Sequence, residues 1–246
     1  MGAALVKAAA KPENGTAIAC GVDPFCKAAL PFPVYASTDE TDVSADVVID
    51  FSVPQATEAI LAYCLRTKTP AVICTTALSE VLIERIGEAS KVIPIFRSGN
   101  MSIGINLMRV LLKQARQTLG DAFDIEIVET HHNRKKDAPS GTALMLAEAI
   151  EEADHTEHAF VFGRSEKDRR REKGEIGFHS VRGGTIVGEH EVRFLGEDEE
   201  IAIRHAAYSK AVFAEGALKA ARFLLTKEHG LYTMEDLVSE MLTARS

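Results

Sequence analysis

The chain reads as an α/β protein: a Rossmann-like doubly wound domain, followed by an α+β domain built on an open mixed sheet. Three observations predict it. Short apolar runs of strand length alternate with amphipathic helical windows in the first part of the chain, which implies parallel strands joined by crossover helices. Beyond the middle, strands follow one another without helices between them. The make-up, 46% hydrophobic and 26% charged over 246 residues, is ample for buried cores and far from that of a disordered chain.

Taken in order, residues 17–22 and 47–51 read as strands, 55–66 as a helix, 71–74 as a strand, 78–89 as a helix and 92–96 as a strand. A helix over 104–118 carries Ile105, Met108, Val110, Leu111 and Leu112 as its apolar stripe. Then the period changes. Phe123, Ile125 and Ile127 alternate with Asp124 and Glu126 as in a half-buried strand, and a helix follows at 141–152. Strands are expected at 176–181, 185–194 and 200–206, and helices at 212–225 and 234–242 close the chain. This pattern predicts a doubly wound domain over 1–102 completed by 211–246, and a second domain over 103–210.

Net charge of −8 gives no general affinity for nucleic acid, and no partner of that kind is expected. The basic cluster Arg164, Lys167, Arg169, Arg170, Arg171 and Lys173 is interleaved with Glu166, Asp168, Glu172 and Glu175, and is expected to be a solvated loop. Cys20, Cys26, Cys64 and Cys74 lack CxxC spacing, so reduced thiols are expected rather than a zinc knuckle or a disulfide framework. No apolar run reaches the roughly 18 residues of a membrane span, and residues 1–10 lack the features of a signal peptide. Val6 stands where a myristoylation signal needs Ser or Thr. A cytoplasmic protein without membrane partners is expected.

The chemistry concentrates in Glu129-Thr130-His131-His132-Asn133-Arg134-Lys135-Lys136-Asp137-Ala138-Pro139-Ser140-Gly141-Thr142-Ala143. Histidine exchanges protons most readily near neutral pH, so an exposed pair at a strand end is a candidate acid/base site; either could equally be a hydrogen-bonded structural histidine. Lys135 can carry charge toward an anion, or donate a proton if desolvated, or simply lie on the surface. Ser140 reads as a helix opening, Gly141 lets a ligand approach backbone N–H groups, and Thr142 adds a hydroxyl; the set suits a carboxylate or phosphate, or plain N-capping. Asp137 orients a neighbouring cation or stabilises the turn. A metal is not expected, because adjacent strand histidines point to opposite faces and no further ligand motif accompanies them.

The whole segment resembles the signature of dihydrodipicolinate reductases, E-x-H-H-x-x-K-x-D-A-P-S-G-T-A, at every fixed position from Glu129 to Ala143. Similarity extends to VIDFS-x-P from Val48, Thr75-Thr76, Gly99-Asn100-Met101-Ser102, Ile176-Gly177, SVRGG-x-IVGEH from Ser180, Phe213-Ala214 with Gly216-Ala217, and Leu231-Tyr232. The resemblance implies reduction of 4-hydroxy-tetrahydrodipicolinate by NADH or NADPH on the route to diaminopimelate and lysine, in a homotetramer, with 1–102 and 211–246 as the dinucleotide-binding domain, 103–210 as the substrate-binding and oligomerisation domain, and hydride passing between the two. By position, His131 and Lys135 are then the acid/base and proton-donating pair, and His132, Ser140, Gly141 and Thr142 hold the carboxylates of the dicarboxylate substrate. The cofactor lies against Cys74-Thr75-Thr76 and Gly99-Asn100-Met101-Ser102, and Asp23 takes the adenosine ribose. Pro24 follows Asp23 in place of a basic residue, which leans toward NADH and leaves dual use open.

Two departures stand out. Cys74 replaces the usual glycine of its loop, which implies an altered backbone approach there. Met1-Gly2 match the close of a G-x-x-G-[RK]-M-G turn, so about a dozen residues, a central strand and the pyrophosphate cradle, are expected to be absent. Either Met1 is an internal methionine of a longer protein or the chain is a truncation with impaired function. The alternatives to a reductase are a non-catalytic paralogue that binds small dicarboxylates and another bipartite amino-acid dehydrogenase, such as an aspartate dehydrogenase-like protein.

Overall fold

Runs such as Ala71-Val72-Ile73 are too short and too apolar to leave one face in water, and a strand of that kind is stable only with helices on both sides. The computed structural model, which describes residues 1–165 and 167–244, supplies them. In chain order the elements are α1 (Gly2–Ala9), β1 (Gly21–Val22), β2 (Val34–Tyr35), β3 (Val48–Asp50), α2 (Pro54–Thr67), β4 (Ala71–Ile73), α3 (Glu80–Ser90) and β5 (Pro94–Arg97). Then come α4 (Ile103–Leu119), β6 (Asp124–His131), α5 (Gly141–Asp154), β7 (Ala159–Phe162), β8 (Glu175–Arg182), β9 (Gly188–Leu195), β10 (Glu200–Ala207), α6 (Ala211–Leu224), β11 (Gly230–Tyr232) and α7 (Met234–Thr243). The chain divides into two compact units, Met1–Ile103 with Ala211–Ser246, and Gly104–Lys210. Among the described residues no helix is long and apolar enough to cross a membrane.

In the first unit β11, β5, β4 and β3 form a parallel sheet in that order. Its two faces follow the period of two. Ala71, Ile73 and Ile95 pack against Leu61 and Cys64 of α2 and Leu82, Ile86 and Ala89 of α3. Val72 and Phe96 pack the opposite way, against Ala217, Ala220, Ala221 and Phe223 of α6 and Leu237 of α7. Helix starts are marked by Pro54 at the first turn of α2, Ser79 capping Leu82 N–H on α3, and a Thr233–Asp236 capping box on α7.

The sequence-based strand at 17–22 shortens to β1, which pairs only with β2, a strand the pattern does not predict. Strand residues need a neighbour's ladder to be strand, and no ladder joins β1–β2 to β3 among the described residues. The four-residue β7 and three-residue β11 also escape the pattern.

The second unit holds a five-stranded mixed sheet ordered β10-β9-β6-β8-β7. Met108 and Leu112 of α4 and Ala143, Leu146, Ala147 and Ile150 of α5 bury one face, against Ile125, Ile127, Ile176, Phe178, Val192 and Phe194. The basic loop is not simply solvated. Arg164 and Arg169 reach the buried carboxylate of Glu175, at 2.9 and 2.5 Å. Arg164 also meets Glu126, at 2.7 Å, and Arg171 meets Asp124, at 2.9 Å. The acidic partners come from β6 and the start of β8, so the pairing exists only once the sheet has formed. Lys167, Arg170 and Lys173 stay exposed, and Glu166 lies outside the described residues.

Candidate active site

The ladder of the second sheet builds the site row by row. On the helix-covered face Phe194, Ile125 and Ile176 stand side by side, and the next row is Val192, Ile127 and Phe178. Two residues further along β6 the same face turns polar: His190, Glu129 and Ser180 form the third row, and His131 lies beside Arg182 in the fourth. The β6 alternation of buried Ile125, Ile127, Glu129 and His131 therefore carries an acid and a base to the edge of the core.

His131 is buried, not exposed as the sequence suggests, because its position in the period of β6 places it under α5. Its Nδ1 lies 2.6 Å from Oε2 of Glu129, so a neutral ring donates there and keeps Nε2 as an acceptor. Burial depresses its pKa, against the pull of Glu129 and with help from Lys135 and Arg182. Glu129, 1% exposed, also accepts both guanidinium nitrogens of Arg182 at 2.7 and 2.8 Å, and the backbone N–H of Ser140 at 3.1 Å. Burial alone would raise its pKa; hydrogen bonds from Arg182, Ser180 and His131 outweigh that and bring it to about 2. Gly188 leaves room at the far side of the imidazole, where a Cβ would stand 3.0 Å from Nε2.

After β6 the chain turns. His132 N–H donates to the Ile186 carbonyl at 2.8 Å, Lys135 N–H to the His132 carbonyl at 3.1 Å, and Arg182 donates to the Asp137 carbonyl at 2.8 Å. His132 is half-buried, and its Nδ1 is buried without a hydrogen-bond partner. The Lys135 ammonium pairs with Asp137 at 2.8 Å, which gives Asp137 the role of orienting a cation. Ser140 caps α5, its Oγ accepting from Ala143 N–H at 3.1 Å and lying 2.9 Å from Nε2 of His190. Gly141 is exposed with open space around it, and the N–H groups that open α5 make this end electropositive.

The fold thus brings His131, Ser140 and the turn carrying Lys135 together through Glu129 and Arg182. Neither carboxylate nor guanidinium was assigned a role from the residues alone, nor was His190. The period-two spacing of Glu129 and His131 was the available signal for the first. Arg182 and His190 arrive through strand register, which no local spacing reports.

In the first unit, Asp23, Cys74 to Thr76 and Gly99 to Ser102 each lie just past the carboxyl end of a parallel strand, where open α/β sheets bind ligands. Thr75 is buried with its hydroxyl unpartnered, and Gly99 has nothing where a Cβ would stand. These features fit a dinucleotide placed against the loops. The side chain of Cys74 packs into the core with Val72, Phe96 and Met101, and burial drives its thiol pKa well up. Asp23 is exposed and its Oδ1 accepts Phe25 N–H at 2.9 Å. The loop ending in Met101 and Ser102 lies against α6, where only a glycine fits: a Cβ on Gly216 would meet the Met101 carbonyl oxygen at 1.7 Å.

Residues 1–101 match the family pattern for the N-terminus of dihydrodipicolinate reductase and residues 104–238 the pattern for its C-terminus. A 4-hydroxy-tetrahydrodipicolinate reductase of Caldanaerobacter subterraneus subsp. tengcongensis is 54% identical over 211 residues, covering 86% of this chain and 84% of that one. One from Clostridium novyi is 47% identical over 225 residues, covering 92% and 89%. Among solved structures, the dipicolinate-bound dihydrodipicolinate reductase from Paenisporosarcina sp. TG-14 superposes with a TM-score of 0.77 at 23% identity, covering 94% of this chain and 92% of that one.

Proposed function

This chain belongs to the dihydrodipicolinate reductase family, and from that premise we propose how its residues reduce 4-hydroxy-tetrahydrodipicolinate to tetrahydrodipicolinate with NADH or NADPH, on the way to diaminopimelate and lysine. The observation that carries the reading is the buried Glu129–His131 pair beside the electropositive start of α5. His132, Ser140, Gly141 and Thr142 hold the carboxylates of the ring diacid, where helix N–H groups favour negative charge. Cys74, Thr75, Thr76, Gly99, Asn100, Met101 and Ser102 would hold the cofactor, with Asp23 at the adenosine ribose, and bound there it would supply hydride. The reduction takes up one hydride and one proton and releases water. Lys135, held by Asp137, delivers the proton to the electron-rich ring, and neutral His131, its Nδ1–H committed to Glu129, is the acid/base partner. The domain roles follow: residues 1–102 with 211–246 bind the dinucleotide, and 103–210 bind the substrate. The enzyme works in the cytoplasm as a homotetramer assembled through the second sheet.

The test is kinetic. Lys135→Ala and His131→Ala should each lower turnover by about 10²–10⁴-fold, the usual worth of a general acid or base, with NADH and NADPH binding unchanged. Unaltered turnover in both variants removes the mechanism. A wild-type chain that binds dicarboxylate but neither nucleotide is instead the non-catalytic protein.

A further inference from the structure

The Ser140 hydroxyl has one hydrogen and two acceptor sites. Ala143 N–H fills one acceptor site at 3.1 Å, and Nε2 of His190 lies 2.9 Å from the same oxygen. Which of the two groups donates is decided by the other ring nitrogen. His190 is 4% exposed, and its Nδ1 is buried with no hydrogen-bond partner. A proton on Nδ1 would be an orphaned buried N–H, a rare and costly defect, whereas a bare nitrogen lone pair in the same place is an under-satisfied acceptor and better tolerated. With the hydrogen on Nδ1 the Ser140 hydroxyl, itself buried, donates to Nε2 and one donor lacks an acceptor; a ligand that accepts from Ser140 removes that defect only in the tautomer with its hydrogen on Nε2, and so selects it. Both acceptor sites of Oγ are then occupied, which leaves the serine hydrogen to donate to that ligand.

We propose that His190 is a positioning residue that makes the Ser140 hydroxyl a committed donor to a substrate carboxylate. The surroundings keep the ring neutral, as that role requires. Burial first, and the neighbouring His131 ring at 5.1 Å next, bring its pKa down to about 3, against the opposing effect of Glu129 on the adjacent strand. His205 of β10 faces it from the other side and acts in the same sense as His131. The inference rests on the carboxylate-binding reading of Ser140.

Substitution of His190 by the two amides tests it, since asparagine ends near Nδ1 while glutamine reaches the place of Nε2. With the full chain, titration with pyridine-2,6-dicarboxylate should show about tenfold weaker binding for His190→Asn, the worth of one hydrogen bond to a charged group, and near wild-type binding for His190→Gln. KM for the substrate should follow, with kcat within about twofold. Ser140→Ala should lose as much as His190→Asn, and the double variant no more than either. Equal binding by His190→Asn and wild type overturns the proposal, as does a double variant whose losses multiply, or a fall in kcat in place of the rise in KM. A wild-type chain that does not bind pyridine-2,6-dicarboxylate overturns the carboxylate site itself.

Discussion

Glu129 is the residue on which the site turns, because one buried carboxylate satisfies an imidazole, a guanidinium and a backbone N–H at once. Replacing it with glutamine strands the Arg182 charge, and breaking such a buried pair should cost on the order of 3 kcal/mol in chemical denaturation. Its pKa of about 2 against an ordinary 4.5 means that its contribution is complete above pH 4.5 and lost as the pH falls toward 2. His190 has the same sign for the opposite reason: folded it stays neutral down to about 3 against an ordinary 6.5, so acid favours the unfolded chain from 6.5 downward. Wild-type stability should therefore decline between those two values, and His190→Gln should remove about one proton's worth of slope, about 1.4 kcal/mol per pH unit. Identical slopes in the two proteins would refute the neutral assignment. Gly188→Ala places a methyl group 3.0 Å from Nε2 of His131. It should depress turnover in a chain whose thermal melt is little changed.

At the scale of elements, the site depends on where helices begin and how close they come. Ser140 caps α5 and is also the group proposed to hold a carboxylate, so Ser140→Ala should cost about 1 kcal/mol of helix stability besides any effect on binding. On the other unit, Gly216 lets α6 touch the Met101 carbonyl. Gly216→Ala cannot be relieved by a side-chain shift, since backbone stands in the way. It should cost about 1–3 kcal/mol and weaken NADH binding, read by denaturation and by nucleotide titration. Unchanged nucleotide affinity would separate that loop from the cofactor. The element pattern itself was largely legible: β6, α5 and β9 fall where alternation and capping residues predict them. The burial of His131 was not, because the sequence places it at a strand end, and only its row in the assembled sheet puts it on the helix-covered face.

For the whole molecule, the second sheet has one face under α4 and α5, and another that alternates away from them and presents Val128, Thr130, His179 and Val181. Val181 is 47% exposed there, an apolar side chain between polar ones. If the homotetramer forms on this face, the protein should sediment at four times the 26.7 kDa chain. Val181→Arg should then lower that mass while leaving the fold of each chain intact. A wild-type protein sedimenting at the mass of one chain would refute the assembly.

The sequence by itself determined the alternation of strands and helices, the break between the two units, and the residue types that can grip a diacid and move a proton, since those follow from periodicity and from side-chain chemistry within a few residues. The tertiary structure alone decided that Arg182, from β8, neutralises Glu129, that His190, from β9, meets Ser140, and that acidic strands tie down a basic loop. Arg182 and Glu129 lie 53 positions apart in the chain, His190 and Ser140 50, and Arg164 and Glu126 38. Strand register sets them, and register is a property of the assembled sheet.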